Sequence, residues 1–324
     1  MGEFLFMASL PKELKVEVTT KLIFYLNTFG TSTICFEDLA VFLSEIVDKN
    51  AFLNIVRLLE CPSGSNEVAK LRFKINLCKV ERFLSNNLSH ENTMQTIDSL
   101  LSRYTDSIPL SCGLDERERQ YGDDFLVIAV HYLIDLYMRN RKSKTSLWNS
   151  LLILEYGLKR SKFNFLFKLM LVRIYYELGV FKRGLEIADT LEVKQVQYDS
   201  VAYLFTDGME YFGDSSPDFR VSAVLKEAGL IYDRNLIETP DMVVQAFKYG
   251  TYSKIPEFVA FGHQINKSIQ KIVFHLQSNR ILYMAAADLL EMDTLIDNIV
   301  DTQSGTLKID QCIYNGDFRG ILYG

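Results

Sequence analysis

The chain has 324 residues, 48% of them apolar, a formal net charge of -6 and an isoelectric point of about 5.4. The acidic balance argues against a dedicated nucleic-acid binder, which carries a basic face, and no apolar run approaches the ~20 residues of a membrane helix. Five cysteines, at 35, 61, 78, 112 and 312, form no CxxC pair, which fits small buried thiols in a reducing, intracellular compartment.

Only 6 Pro and 17 Gly interrupt the chain, and 22 Phe and 17 Tyr stand against one Trp. Few breakers and many bulky apolar side chains point to helices packed along aromatic-filled seams. The opening MGEFLFMASLPKELK has neither a basic start nor a long apolar stretch, so no secretory signal is expected.

Apolar positions recur three and four residues apart, the helical period. The spacing predicts helices over 13–29, 37–48, 50–60, 67–86, 91–105, 122–140 and 146–160. It continues with 164–178, 181–192, 198–212, 218–233, 239–250, 254–276 and 279–300. Strand-like alternation is limited to a hint in TLKIDQCIYNG near the end. The longest helix-free stretch, SIPLSCGLDERERQYG, suggests a division into an N-terminal helical block (1–106), a linker (107–121), a helical-repeat block (122–303) and a Gly-rich tail (304–324).

A repeat organises the second block. In KLMLVRIYYELGVFKRGLEIADTL, Leu171 and Tyr175 share a helix face, Gly179 ends that helix, and Leu185 and Ala188 line the next. Gly184 and Ala188 are small enough for two helices to approach closely. A Gly corner returns at Gly213 and Gly250, after gaps of 34 and 37 residues. A helix-turn-helix unit of ~34 residues is the tetratricopeptide period. Such units bury their apolar faces by stacking, so the expected fold is all-α, a tetratricopeptide-like helical-repeat solenoid. At the last corner, QAFKYGTYSKIPEFVAF, Gly250 should close one helix, Ser253 cap the next, and Pro256 occupy its third position.

Catalytic signatures are missing from the chain. It carries no Walker A loop, GxGxxG, HExxH or GxSxG, and His90, His131, His263 and His275 lack metal-ligand spacing. The pairs Glu37-Asp38 and Asp123-Asp124 read as first-turn charge at helix N-termini. An enzyme would have to bring His131, Asp135 and a cysteine into one pocket. The expectation is therefore no enzyme, no cofactor and no metal. Surface candidates are the basic turn Arg139, Arg141, Lys142 and Lys144, and a second cluster at Lys159 and Arg160. A third is the Gly250 corner with Lys248, Tyr249 and Lys254. The two basic clusters suit a solvated loop, an acidic partner or RNA phosphates, and the Gly250 corner an architectural turn or a partner contact. If successive turns fell on one edge, the two basic turns would form a stripe.

VQAFKYGTYSKIPEFVAFGHQINKS, QYDSVAYLFTDG and LMLVRIYYELGVF resemble segments of the auxiliary subunit of the N-terminal acetyltransferase B complex. FYLNTFGTSTICFEDLAVFL and RQYGDDFLVIAVHYLIDLY are similar to it more loosely, and the matches run in family order from about 20 to 270. Family members are longer, and this chain corresponds to their middle and C-terminal portion. The resemblance implies a cytoplasmic, non-catalytic scaffold. Its partners would be a catalytic subunit of the GCN5-related fold and the ribosome, and its role would be acetylation of nascent chains starting Met-Asp, Met-Glu, Met-Asn or Met-Gln. Shortening such a solenoid would leave an apolar end open to self-association. The alternative from the residues alone is a general helical-repeat adaptor, whose carboxylate clamp would use Lys168, Arg173 and Lys248.

Overall fold

The helical period is realised almost throughout the computed structural model, which describes residues 12–46, 48–85, 89–194, 197–207, 221–285 and 312–314. Among them the protein is all-α, and the strand hint reduces to one isolated bridge between Ser268 and Ile313. No helix among these residues is long and apolar enough to cross a membrane. The chain forms two compact units, dividing between Phe167 and Lys168.

The first unit holds α1 (Lys12–Phe29), α2 (Cys35–Leu43), α3 (Lys49–Leu58), α4 (Glu67–Leu84), α5 (His90–Ser107), α6 (Asp123–Arg139) and α7 (Thr145–Arg160). Three starts are capped as their sequences require. The side chains of Asp48, Asn66 and Ser89 each accept from a backbone N–H three residues on. Leu26, Leu39, Leu43, Phe52, Val56 and Val80 close a core among α1 to α4. The apolar run FLVIAVHYLI becomes α6, whose Phe125, Leu126, Ala129 and Leu133 are buried. It packs against α4, α5 and α7.

Asp123 and Asp124 do open α6, yet neither is merely first-turn charge. Asp123 is buried, and one of its oxygens accepts from Ser161 Oγ at 2.7 Å and Asn164 Nδ2 at 2.8 Å. That ties the start of α6 to the turn after α7. Asp124 instead pairs with Lys79 of α4 at 2.9 Å and with Arg119 at 2.6 Å, and Lys79 reaches Glu37 of α2 at 3.2 Å.

α8 (Phe165–Leu178) carries the boundary between the units. The second unit continues with α9 (Phe181–Asp189), α10 (Gln197–Val201), α11 (Tyr203–Thr206), α12 (Val221–Lys248), α13 (Ile255–Asn266) and α14 (Ile269–Ala285). Gly179 and Gly250 adopt left-handed backbone, φ 79° and 71°. At each corner the following N–H reaches back five residues, Val180 to the Tyr175 carbonyl and Thr251 to that of Ala246. The small residue Gly184 is required by contact, since a Cβ there would lie 2.5 Å from the Tyr176 ring. The third corner, Gly213, lies outside the described residues, as does the helix expected over 279–300 beyond Ala285.

Three local expectations are corrected. The pair of helices over 218–233 and 239–250 is one helix of 28 residues that runs through Pro240. Proline in a helix interior costs about 3 kcal/mol, and packing against α13 and α14 offsets it. The helix expected over 254–276 breaks instead at Lys267-Ser268. There Ile269 N donates to the Ile313 carbonyl, Ile313 N donates to that of Lys267, and Ser268 Oγ donates to buried Asp199. Finally, Ser253 does not cap α13. Tyr252–Lys254 form a 3-10 turn, Lys254 is the cap residue, and Pro256 falls at the second helical position.

Candidate protein-interaction surface

α6 and α7 form a hairpin joined by residues 140–144. A connection this short makes its helices antiparallel neighbours. α7 buries Leu147, Leu151 and Leu154. Gly157 lets it close on the core, because a Cβ there would stand 2.7 Å from both Leu126 Cδ1 and Phe167 Cε2. At 100° per residue the opposite face carries Trp148, Leu152 and Tyr156, spaced four apart, which are 48%, 65% and 45% exposed. Arg160 lies over the Tyr156 ring, 5.5 Å from its centroid, and Tyr104 meets the same ring edge-on at 6.3 Å.

All six basic candidates of this hairpin are exposed. Arg139 ends α6, Arg141 and Lys142 lie in the turn, and Lys144 precedes α7; Arg141 approaches the Met138 sulfur at 3.5 Å. Lys159 and Arg160 are the last residues of α7, where a cation also complements the helix dipole. The two clusters do not share an edge. α7 has 16 residues, so about 24 Å of helix separates them. Successive turns of antiparallel helices alternate between opposite ends, and what joins the clusters is the outer face of α7. The aromatic residues between them were missed in the sequence. Their signal was three large apolar residues at i, i+4 and i+8 beside a second apolar set on the other face.

In the second unit, Lys248 ends α12 and is exposed, and Tyr249 is 79% exposed. Tyr249 and Lys254 help line an open groove of about 550 Å³ together with Glu238, Asp241, Met242 and Phe258. Lys254 pairs with Glu257 at 2.8 Å. Phe247 and Tyr252 pack edge to face beside it, both largely exposed. A carboxylate clamp is not assembled. Lys168 donates to the Thr190 carbonyl at 2.9 Å, and Arg173 pairs with Asp207 at 3.2 Å.

The residues that an enzyme would need are otherwise engaged. Asp135 pairs with Arg82 at 2.8 Å. Cys78 accepts from Arg103 at 3.0 Å, and burial pushes its thiol up, away from a reactive thiolate. The polar groove of about 390 Å³ beside Cys78 is lined by Glu81, Gln95, Ser99 and Tyr132, without His131 or Asp135. Among the described residues no three His, Cys, Asp or Glu side chains group to hold a metal.

Residues 5–316 match the family described as the N-acetyltransferase B complex (NatB) non catalytic subunit. The chain belongs to that family. It is 30% identical over 260 residues to human N-alpha-acetyltransferase 25, NatB auxiliary subunit, which covers 76% of this chain and 26% of the human one. A fission-yeast relative (Schizosaccharomyces pombe), N-terminal acetyltransferase B complex subunit arm1, is 28% identical over 281 residues, covering 83% of this chain and 34% of its own. The Arabidopsis thaliana auxiliary subunit of the same complex is 24% identical over 279 residues, 85% of this chain and 26% of its own. The chain thus spans about a quarter of the human relative's length. The family is that of a non-catalytic subunit, and the absence of catalytic motifs accords with it.

Proposed function

We propose that this chain acts as a scaffold portion of the NatB auxiliary subunit. On this reading its helix pairs stack in a tetratricopeptide-like manner. They hold a catalytic subunit of the GCN5-related fold and bring it to the ribosome, in the cytoplasm, for acetylation of nascent chains that begin Met-Asp, Met-Glu, Met-Asn or Met-Gln. The observation that carries the reading is the family match over residues 5–316, nearly the whole chain. The exposed surfaces of the α6–α7 hairpin and the Gly250 corner support it, because a scaffold works through side chains its own fold leaves uncovered.

Co-expression with the catalytic subunit of the complex tests it. The two chains are expected to elute together in gel filtration. Acetyl transfer from acetyl-CoA to a Met-Asp peptide should rise when this chain is present, while the chain alone should transfer nothing. Separate elution with no change in the catalytic subunit's activity would refute the reading.

A further inference from the structure

The outer face of α7 is basic at both ends and aromatic between them. Six cations, Arg139, Arg141, Lys142, Lys144, Lys159 and Arg160, stand against a single carboxylate, Glu155, in residues 139–160, a net +5 within a chain of net -6. Trp148, Leu152 and Tyr156 form the ridge between them, and all three are at least 45% exposed. Trp, Tyr and Arg are the residue types that dominate binding energy at protein interfaces.

We infer that this face docks an acidic amphipathic helix of a protein partner, with apolar residues against the Trp148–Leu152–Tyr156 ridge and Asp or Glu at each end. Two observations favour a helix over single-stranded RNA. The ridge repeats every four residues, the spacing at which one helix meets another. Stacking a base needs an open ring face, but Arg160 already lies over Tyr156 and Tyr104 meets its edge. The separation of the two basic ends, about 24 Å, is the length of a partner helix of about four turns. The inference stands on this surface alone, and a chain that failed to hold an acetyltransferase would still present it.

Trp148 is the chain's one tryptophan, so the emission of the full-length protein reports this face. The probe is a synthetic helix-forming peptide with leucines four residues apart and glutamates in its first and last turns. Its controls are a scramble of the same composition, a version with lysine for glutamate, and a single-stranded uridine oligomer. The acidic peptide should shift Trp148 emission to the blue, and labelled-peptide anisotropy should give the same affinity. Leu152→Ser, and separately Arg141→Glu with Lys142→Glu, should each weaken binding about tenfold, the scale of one lost interface contact. All three positions are exposed, so the fold should survive these changes, which circular dichroism checks. Salt should weaken binding, and the scramble and the lysine peptide should bind poorly. Equal binding of the scramble, no response to the substitutions, no binding of the acidic peptide, or tighter binding of the uridine oligomer at this face would each overturn the inference.

Discussion

The guanidinium of Arg160 sits over the ring of Tyr156, one helical turn earlier on the outer face of α7. A cation on an exposed ring contributes about 0.5–1 kcal/mol. The contact also fixes two long side chains at the end of a largely exposed face. Leu152 is 65% exposed one turn further back, while Leu154, two residues on, is fully buried.

That contrast predicts opposite responses to similar changes. Leu154→Ala should destabilise the protein by about 2–5 kcal/mol, the range for emptying a packed site. Leu152→Ala should stay within about 0.5 kcal/mol, as exposed substitutions do. Urea denaturation of the two variants measures both, and a large loss for Leu152→Ala would show the face to be covered by the chain itself.

The Lys79–Asp124 pair should give stability a pH signature. Burial alone would push the Asp124 carboxyl up, but Lys79 and Arg119 outweigh it and hold the group below the ordinary carboxylate range. Burial likewise opposes the charge on Lys79, yet Asp124 and Glu37 hold that group above the ordinary lysine range. A carboxyl depressed on folding stabilises above its unfolded pKa, ~3.9, and loses that contribution as pH falls through the folded value. A lysine raised on folding contributes fully below ~10.4 and loses its share as pH rises through the folded value. Asp124→Asn should therefore flatten the acid limb of a stability–pH curve relative to wild type, and Lys79→Met the alkaline limb. Each should cost roughly 2–3 kcal/mol at neutral pH, less than a fully buried pair because both side chains keep some solvent. Asp123 is raised, chiefly by burial, and has the opposite sign, so the comparison must be between variant and wild type. An unchanged acid limb in Asp124→Asn would contradict the pairing.

Gly157→Ala and Gly250→Ala should both destabilise, by different routes. At Gly157 the new methyl meets Leu126 and Phe167 at 2.7 Å, and overpacking of this kind costs about 1–3 kcal/mol. At Gly250 the space is open, and the cost is the left-handed backbone, about 1 kcal/mol. Replacing Leu126 with Ala should relieve part of the first penalty and none of the second. Thermal melts of the single and double variants distinguish the two.

In the second unit, Asp199 is buried and accepts from Tyr232 Oη at 2.7 Å and from Ser268 Oγ. Tyr232→Phe removes one of these donors from a buried acceptor. Leaving that acceptor short of a partner should cost about 1–3 kcal/mol. Hydrogen exchange should rise around Ser268, where the break between α13 and α14 relies on the same carboxylate. No change there would separate Asp199 from the break.

The apolar surface of α1 to α3 should drive weak self-association. Phe24, Ile34, Val41 and Leu58 are all more than half exposed, Leu58 at 81%. Apolar side chains this exposed lose water-facing area when a second copy covers them. Sedimentation velocity should show a concentration-dependent shift that Phe24→Lys with Leu58→Lys reduces. A concentration-independent monomer would rule it out.

Local chemistry made much of this legible in the sequence. Helical periodicity depends on residues three and four apart, and Gly179 and Gly250 were readable as corners because only a residue without Cβ reaches positive φ cheaply. The auxiliary-subunit family was readable only through resemblance, carried by runs such as KYGTYSKIPEF. Other features depended on neighbours distant in the chain. The break expected between 233 and 239 is absent, and packing along α12 carries one helix through Pro240; Asp123 looked like helix-start charge, and Ser161 and Asn164 turned it into a buried tie. Leu151 and Leu152 are equally apolar on paper. Only the tertiary packing decided that the first is buried and the second faces outward with Trp148 and Tyr156, because burial belongs to the surrounding elements and not to the residue.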